Sequence, residues 1–247
     1  MAKIKSPYRE LCQKAYEANM EIPARALALY TWGNVSAFDK NLGVFAIKPS
    51  GVPYEELSEQ SMVVIDMEGK TVEGTLRPSS DTPTHLVLYR EFAIQEGRAI
   101  GGIIHTHSTH AVAWAQACKP IPLFGTTHAD HIQVPVPCTP YLSLEAVKGD
   151  YELETGKQIV DLFRAGKAPL NPAEVTMALV GGHGPFAWGE TALKAVYNGV
   201  VLEEIARMAT LTIMNNPKAK PLPLHIVKKH YERKHGSGAY YGQKKQV

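Results

Sequence analysis

Apolar positions in this chain switch repeatedly between a helical and a strand period. Residues 8–20 place Leu11, Ala15 and Ala18 at helical spacing, and the stretches YTWGNVSAF and VFAIKPSG that follow read as extended. MVVID is a short β-branched strand. DTPTHLVLYREFAIQ predicts a helix: Asp81 stands where an N-cap belongs, Pro83 falls in the first turn, and Leu86, Tyr89 and Ala93 share a face. AIGGIIHTH is then a strand, and STHAVAWAQAC a helix that Ser108 can cap. The prolines of HIQVPVP predict an edge strand or an irregular one. YELETGKQIVDLFRAG reads as a helix closed by Gly166, and VTMALVGGHGPFAWG as two strands about a glycine turn. TALKAVYNGVVLEEIARMATLTIMNN is a long apolar helix, and LHIVKKHYERKHGSGAYYGQ a last helix with a loose aromatic end. Such alternation, without a linker or internal repeat, predicts one α/β domain over residues 1–247, a sheet covered by helices.

Composition narrows the function without naming it. A chain of 247 residues is long enough to bury a substantial core, and its formal net charge of +2 gives no pointer to nucleic acid or to an acidic membrane. The one basic cluster lies near the C-terminus. Cys12, Cys118 and Cys138 are odd in number and lack C-x-x-C spacing, which speaks against a disulfide framework or a thiolate metal site and for a reducing compartment. MAKIKSPYRE lacks the apolar stretch of a signal peptide, and no run reaches the roughly 20 apolar residues of a membrane span, so the expectation is a cytoplasmic protein.

The candidate chemistry begins at GGIIHTHSTH, which puts three histidines into six positions after an apolar run. If the strand continues through His107, the rings of His105 and His107 share one face, an arrangement that can grip a metal. His183, in VGGHGPFAW, also follows an apolar strand and sits among glycines that leave room for close approach. Three imidazoles would leave zinc an open coordination position. His110, inside the next helix, is read as turned away. Asp81 is either an ordinary N-cap or a carboxylate facing the sheet end, and spacing alone leaves both open. KPSG, with Lys48, Ser50 and Gly51, and RPSSD, with Ser79 and Ser80, each join a cation to small hydroxyl residues at a turn. Hydroxyls, amide N–H groups and a helix N-terminus suit a phosphate, although neither stretch matches the P-loop pattern of nucleotide triphosphate sites.

Taken together, TWGNVSA, IKPSGV, PSSDTPTH, HTHSTHAVAWAQA, GTTHADH, ETG, HGPFAWG and KHYERKHG with AYYGQ resemble the class II aldolase/adducin-head family, in family order and over nearly the whole chain. The resemblance implies a three-layer α/β/α single domain with a central, mostly antiparallel sheet. It also implies a homotetramer with active sites between neighbouring subunits, and a divalent metal, usually zinc with manganese the alternative. In that family His105, His107 and His183 correspond to the metal histidines and Asp81 to the acidic residue standing at the metal in its epimerase branch; aldolases of the fuculose-phosphate type carry a glutamate there. Asp81 therefore favours C4 epimerisation of L-ribulose 5-phosphate to D-xylulose 5-phosphate over net aldol cleavage. C4 carries no acidic hydrogen, so the implied route breaks the C3–C4 bond, with the metal stabilising the enediolate, and re-adds the opposite face of glycolaldehyde phosphate.

By the same resemblance Asp130 and Tyr241 take the base and acid roles that inversion requires. Gly33, Asn34, Ser50, Gly51, Ser79 and Ser80 hold the substrate, chiefly its phosphate, with Lys48 adding charge. Glu152, His230 and Arg233 lie near the site, and the tail, 223–247, contributes to it, in its own or a neighbouring subunit. His131 and Ile132 depart from the family, in which aromatic residues follow THAD. The competing readings are an aldolase or epimerase of another sugar phosphate, such as L-fuculose 1-phosphate, and a non-catalytic adducin-head binding module.

Overall fold

The structure, a computed structural model, describes residues 6–166, 168–236 and 239–240. Seven strands form one sheet: β1 (Asn34–Asp39), β2 (Val44–Ile47), β3 (Val63–Asp66), β4 (Thr71–Glu73), β5 (Gly102–His105), β6 (Met177–Val180) and β7 (Gly184–Gly189). Their spatial order is β4-β3-β2-β1-β5-β7-β6, and every pairing between named strands is antiparallel. The helices are α1 (Arg9–Ala24), α2 (Thr82–Leu88), α3 (Thr109–Gln116), α4 (Thr126–Ala129), α5 (Leu144–Lys148), α6 (Tyr151–Arg164), α7 (Ala192–Asn215) and α8 (Leu224–His235).

Both faces of the sheet are buried, which explains why its strands read as nearly continuous apolar runs. Along β2, Val44 and Ala46 enter one core, shared with Leu11, Ala15 and Ala18 of α1 and Leu202 and Ile205 of α7. Phe45 and Ile47 enter the other, shared with Leu86 and Leu88 of α2 and Ile159 and Phe163 of α6. Period-2 alternation thus sorts each strand between two helical layers, giving the expected α/β/α sandwich. No helix among the described residues is long and apolar enough to cross a membrane.

Several local expectations are corrected. β5 ends at His105, so His107 lies beyond the strand. Ser108 occupies the N-cap position of α3 without a capping hydrogen bond. Glu203 of α7 caps instead, its two carboxylate oxygens accepting from the amides of His110 and Ala111 at 2.9 Å each. Asp81 likewise sits at the N-cap of α2 but does not cap it. The segment after α2 continues as a π-helix, Tyr89–Gln95, with Tyr89, Phe92 and Ala93 buried. HIQVPVP takes the irregular course, held by an isolated bridge between Ile121 and Val136. Gly166 adopts a positive φ of 83° just past α6, as a helix terminator does. β4, α4 and α5 are too short to have left a periodic signal.

Candidate active site

The antiparallel register places Asn34 at the start of β1 opposite His105 at the end of β5. This pairing opens one end of the sheet into a cleft of about 360 Å³, lined by Gly33, Asn34, Lys48, Ser50, Gly51, Ser79, Ser80, Asp81, His105, His107, Glu152 and His183, together with Thr31, Trp32, Pro49 and Tyr151. Every residue expected to hold metal or phosphate is therefore in one place. KPSG and RPSSD meet because the chain pairs Pro49 with Pro78 in an isolated antiparallel bridge. Ser50 N–H donates to the carbonyl of Arg77 at 2.9 Å, and Ser79 N–H to that of Lys48 at 3.0 Å.

Nitrogen atoms of His105, His107 and His183 all lie within 4.8 Å of one another, forming the possible metal site among the described residues. The Nε2 atoms of His105 and His107 stand 3.1 Å apart. Two nitrogens bound tetrahedrally to zinc would be separated by about 3.3 Å. Nδ1 of His105 donates to the carbonyl of Pro185 at 3.0 Å, a tautomer that leaves the Nε2 lone pair for a cation. Nδ1 of His183 is buried without a hydrogen-bond partner. Burial, followed by the neighbouring His183 and His107, holds His105 well below the usual imidazole range. Burial also lowers His107 and His183, against the opposing charge of Asp81. Three neutral imidazoles beside a carboxylate are a donor set that fits a divalent cation.

Two glycines make the approach possible. Gly33 has a φ of 78°, and a Cβ there would stand 2.9 Å from the carbonyl oxygen of His105. Gly182, in the turn before His183, has a φ of 75° and would place a Cβ 2.6 Å from the ring of Tyr141. Asp81, its side chain released from capping, accepts at Oδ2 from Nδ2 of Asn34 at 2.6 Å. Lys48 is buried, donates to the carbonyl of Thr31 at 3.1 Å and lies over the Tyr54 ring. Burial pulls its ammonium down to about 8.

A match to the family described as Class II Aldolase and Adducin N-terminal domain covers residues 13–210. The chain belongs to that family. As a class II aldolase-family chain it is 50% identical over 236 residues to the L-ribulose-5-phosphate 4-epimerase UlaF of Salmonella paratyphi B (strain ATCC BAA-1250 / SPB7), covering 96% of this chain and 100% of that protein. The same identity and coverage hold for the UlaF of Salmonella typhi. Among solved structures, an L-fuculose 1-phosphate aldolase matches with a TM-score of 0.73 at 24% identity, over 94% of this chain and 99% of that one. YgbL of Klebsiella pneumoniae, titled a putative aldolase/epimerase/decarboxylase, matches with a TM-score of 0.68 at 23% identity, over 91% and 99%. These two structures share the class II aldolase fold, a metal-dependent family's scaffold.

Asp130 is not part of the cleft lining. At the C-terminal end of α4 it is gripped by α8: Arg233 donates to both carboxylate oxygens at 3.0 and 2.6 Å, and His230 Nδ1 is 3.0 Å from Oδ1. Lys234 Nζ stands 3.5 Å from Oδ2. Burial would raise this carboxyl, but the hydrogen bonds from Arg233 and His230 outweigh it and hold it below the usual carboxylate range. Asp130, His230 and Arg233 thus form a second constellation, while Tyr241 lies outside the described residues. His110 joins neither group and meets Glu203 through its backbone.

The sequence reading missed Trp32 and Tyr151 as cleft residues. The Trp32 ring lies 5.9 Å from that of His107, and the Tyr151 ring 6.0 Å from that of His183. Tyr151 is the first residue of α6, where a side chain faces whatever lies beyond the helix end and periodicity carries no signal. Glu152 beside it was the available pointer.

Proposed function

We propose that this chain is an L-ribulose-5-phosphate 4-epimerase, interconverting L-ribulose 5-phosphate and D-xylulose 5-phosphate by retro-aldol cleavage and re-addition at C3–C4. The observation that carries the reading is the convergence of Asp81, His105, His107 and His183 with two serine turns in one cleft, on a chain 50% identical to the curated UlaF epimerases along nearly its full length. His105, His107 and His183 would hold a divalent cation, zinc by the softness of imidazole donors, with Asp81 as the acidic group beside it. When bound, such a cation supplies Lewis acidity that stabilises negative charge on the ketose fragment after the bond breaks.

The remaining work falls to the chain. Ser50, Gly51, Ser79 and Ser80, with Gly33 and Asn34, hold the substrate, and the Lys48 ammonium balances phosphate charge. Anchoring phosphate while the aldehyde turns its other face is what lets re-addition invert C4. Asp130 accepts a proton on one side and Tyr241 donates on the other. Because Asp130 stands apart from the cleft of its own subunit, the reading takes a homotetramer in which Asp130, His230, Arg233 and the tail, 223–247, of one subunit complete a neighbour's site. An aspartate at position 81, where fuculose-phosphate-type aldolases carry a glutamate, favours epimerisation over net cleavage.

Incubating purified protein with L-ribulose 5-phosphate tests this directly. Epimerisation yields D-xylulose 5-phosphate; accumulation of free glycolaldehyde phosphate would make it an aldolase, and no turnover with full metal occupancy would refute both.

A further inference from the structure

Running back from the cleft is a stripe whose inner polar members, Ser36, His85 and Tyr89, neither binding nor packing explains. The face of β1 turned toward α2 carries Asn34, Ser36 and Phe38 at every second position, and the facing stripe of α2 and its π-helical extension carries Asp81, His85 and Tyr89 at every fourth. The two stripes interlock rung by rung. Asn34 holds Asp81. The Ser36 hydroxyl meets His85 Nδ1 at 2.7 Å and the Tyr89 hydroxyl at 2.7 Å. The Phe38 and Tyr89 rings stack at 4.7 Å. Ser36, His85 and Tyr89 are all fully buried.

Apolar side chains would fill this layer at lower cost, since three polar groups must be desolvated and held in mutual register. The chain even leaves His85 Nε2 buried without a hydrogen-bond partner. His85 is linked to the metal-site residues along two routes. It lies one helical turn after Asp81, and its ring meets the edge of Phe186 at 6.2 Å, while Phe186 stacks on His105 at 4.4 Å and 22°. A helix held only by apolar contacts could rotate slightly about its axis; paired hydrogen bonds at successive turns fix that rotation, and with it the direction of the Asp81 carboxylate.

We infer that Ser36, His85 and Tyr89 form a buried strut that sets the orientation of Asp81 at the metal, making Ser36 and His85 positioning residues for a site they do not touch. This rests on the reading of Asp81 as the carboxylate beside the cation. Groups that orient a ligand typically govern metal affinity by 10–100-fold.

The test is Co²⁺ binding by chelator competition, together with the visible absorption of the Co²⁺ form, for the wild type, Asp81→Asn, Ser36→Ala, His85→Gln, Tyr89→Phe and the double variant Asp81→Asn/Ser36→Ala. Ser36→Ala and His85→Gln are expected to weaken Co²⁺ by at least tenfold and to alter the absorption band, Tyr89→Phe to do so less, and the double variant to bind no more weakly than Asp81→Asn. A purely structural role would lower thermal stability but leave affinity and spectrum unchanged, and that result in Ser36→Ala overturns the inference, even if His85→Gln fails to fold. Additive losses in the double variant overturn it too, because Ser36 would then act elsewhere. Wild-type affinity in Asp81→Asn would instead bring down the reading of Asp81, and the strut with it.

Discussion

Single side chains decide whether this fold does chemistry. His105, His107 and His183 could be singled out in the sequence because imidazoles following apolar runs are uncommon and have a recognisable use; their convergence required β5 and β7 to pair, with His105 opposite Phe186. His107→Ala is expected to strip the metal and reduce turnover by more than about 100-fold, beyond the usual loss of an outer partner; metal analysis of the purified variant beside its kcat checks both. Asp81 could not be resolved from spacing, since capping and metal duty favour the same residue at the same place. Its missing capping bond and its contact with Asn34 remove the capping account. Lys48 gives a pH test. With its ammonium depressed to about 8, the charge that the proposed function sets against phosphate is lost as pH rises through that value. kcat/KM for the sugar phosphate should therefore fall above pH about 8, by up to about tenfold, and Lys48→Met should show a lower plateau without that decline.

At the scale of elements, the long helices were legible because their period persists over many residues, and the strands because they are short apolar runs bounded by turn residues. Helix starts were legible too, but not always the group that caps them. Ser108 looked like a cap by local rule, yet α3 is capped by Glu203, 93 residues away from His110, a partner that only the packing of α7 on α3 supplies. Glu203→Ala leaves two amides at the head of α3 unpaired and should cost about 1–2 kcal/mol in denaturant unfolding, more than Ser108→Ala. Because α3 begins two residues after His107, the same variant should also weaken metal binding, whereas Ser108→Ala should not. The irregular path of HIQVPVP followed from its prolines, which remove ladder donors. The π-helical turn after α2 left no trace in the pattern, since its apolar positions also satisfy an ordinary helix.

For the whole molecule, family motifs carried more than pattern could: periodicity predicts a covered sheet with histidines after two strands, but only the ordered set from TWGNVSA to HGPFAWG predicted that Asp81 and the serine turns would join them at one sheet end. The separation of Asp130 from the histidine cleft sets up a test of shared sites. If the proposed homotetramer shares its sites, inactive His107→Ala and Asp130→Asn chains mixed in equal amounts should regain about a quarter of wild-type activity by random assortment, because some sites then combine two intact halves. Mixing that restores nothing would place both halves in one subunit. Removal of the ion with a chelator should abolish turnover, and zinc should restore it. The bridge between Pro49 and Pro78 has one more effect. It sews the two serine turns to each other, one residue before Ser79 and three before Asp81, so the distance from these turns to that carboxylate is a fixed length rather than an adjustable one. On the proposed reading the cleft works as a caliper: a ketose phosphate one carbon longer or shorter should place the wrong bond beside the cation, and be refused by size rather than by charge.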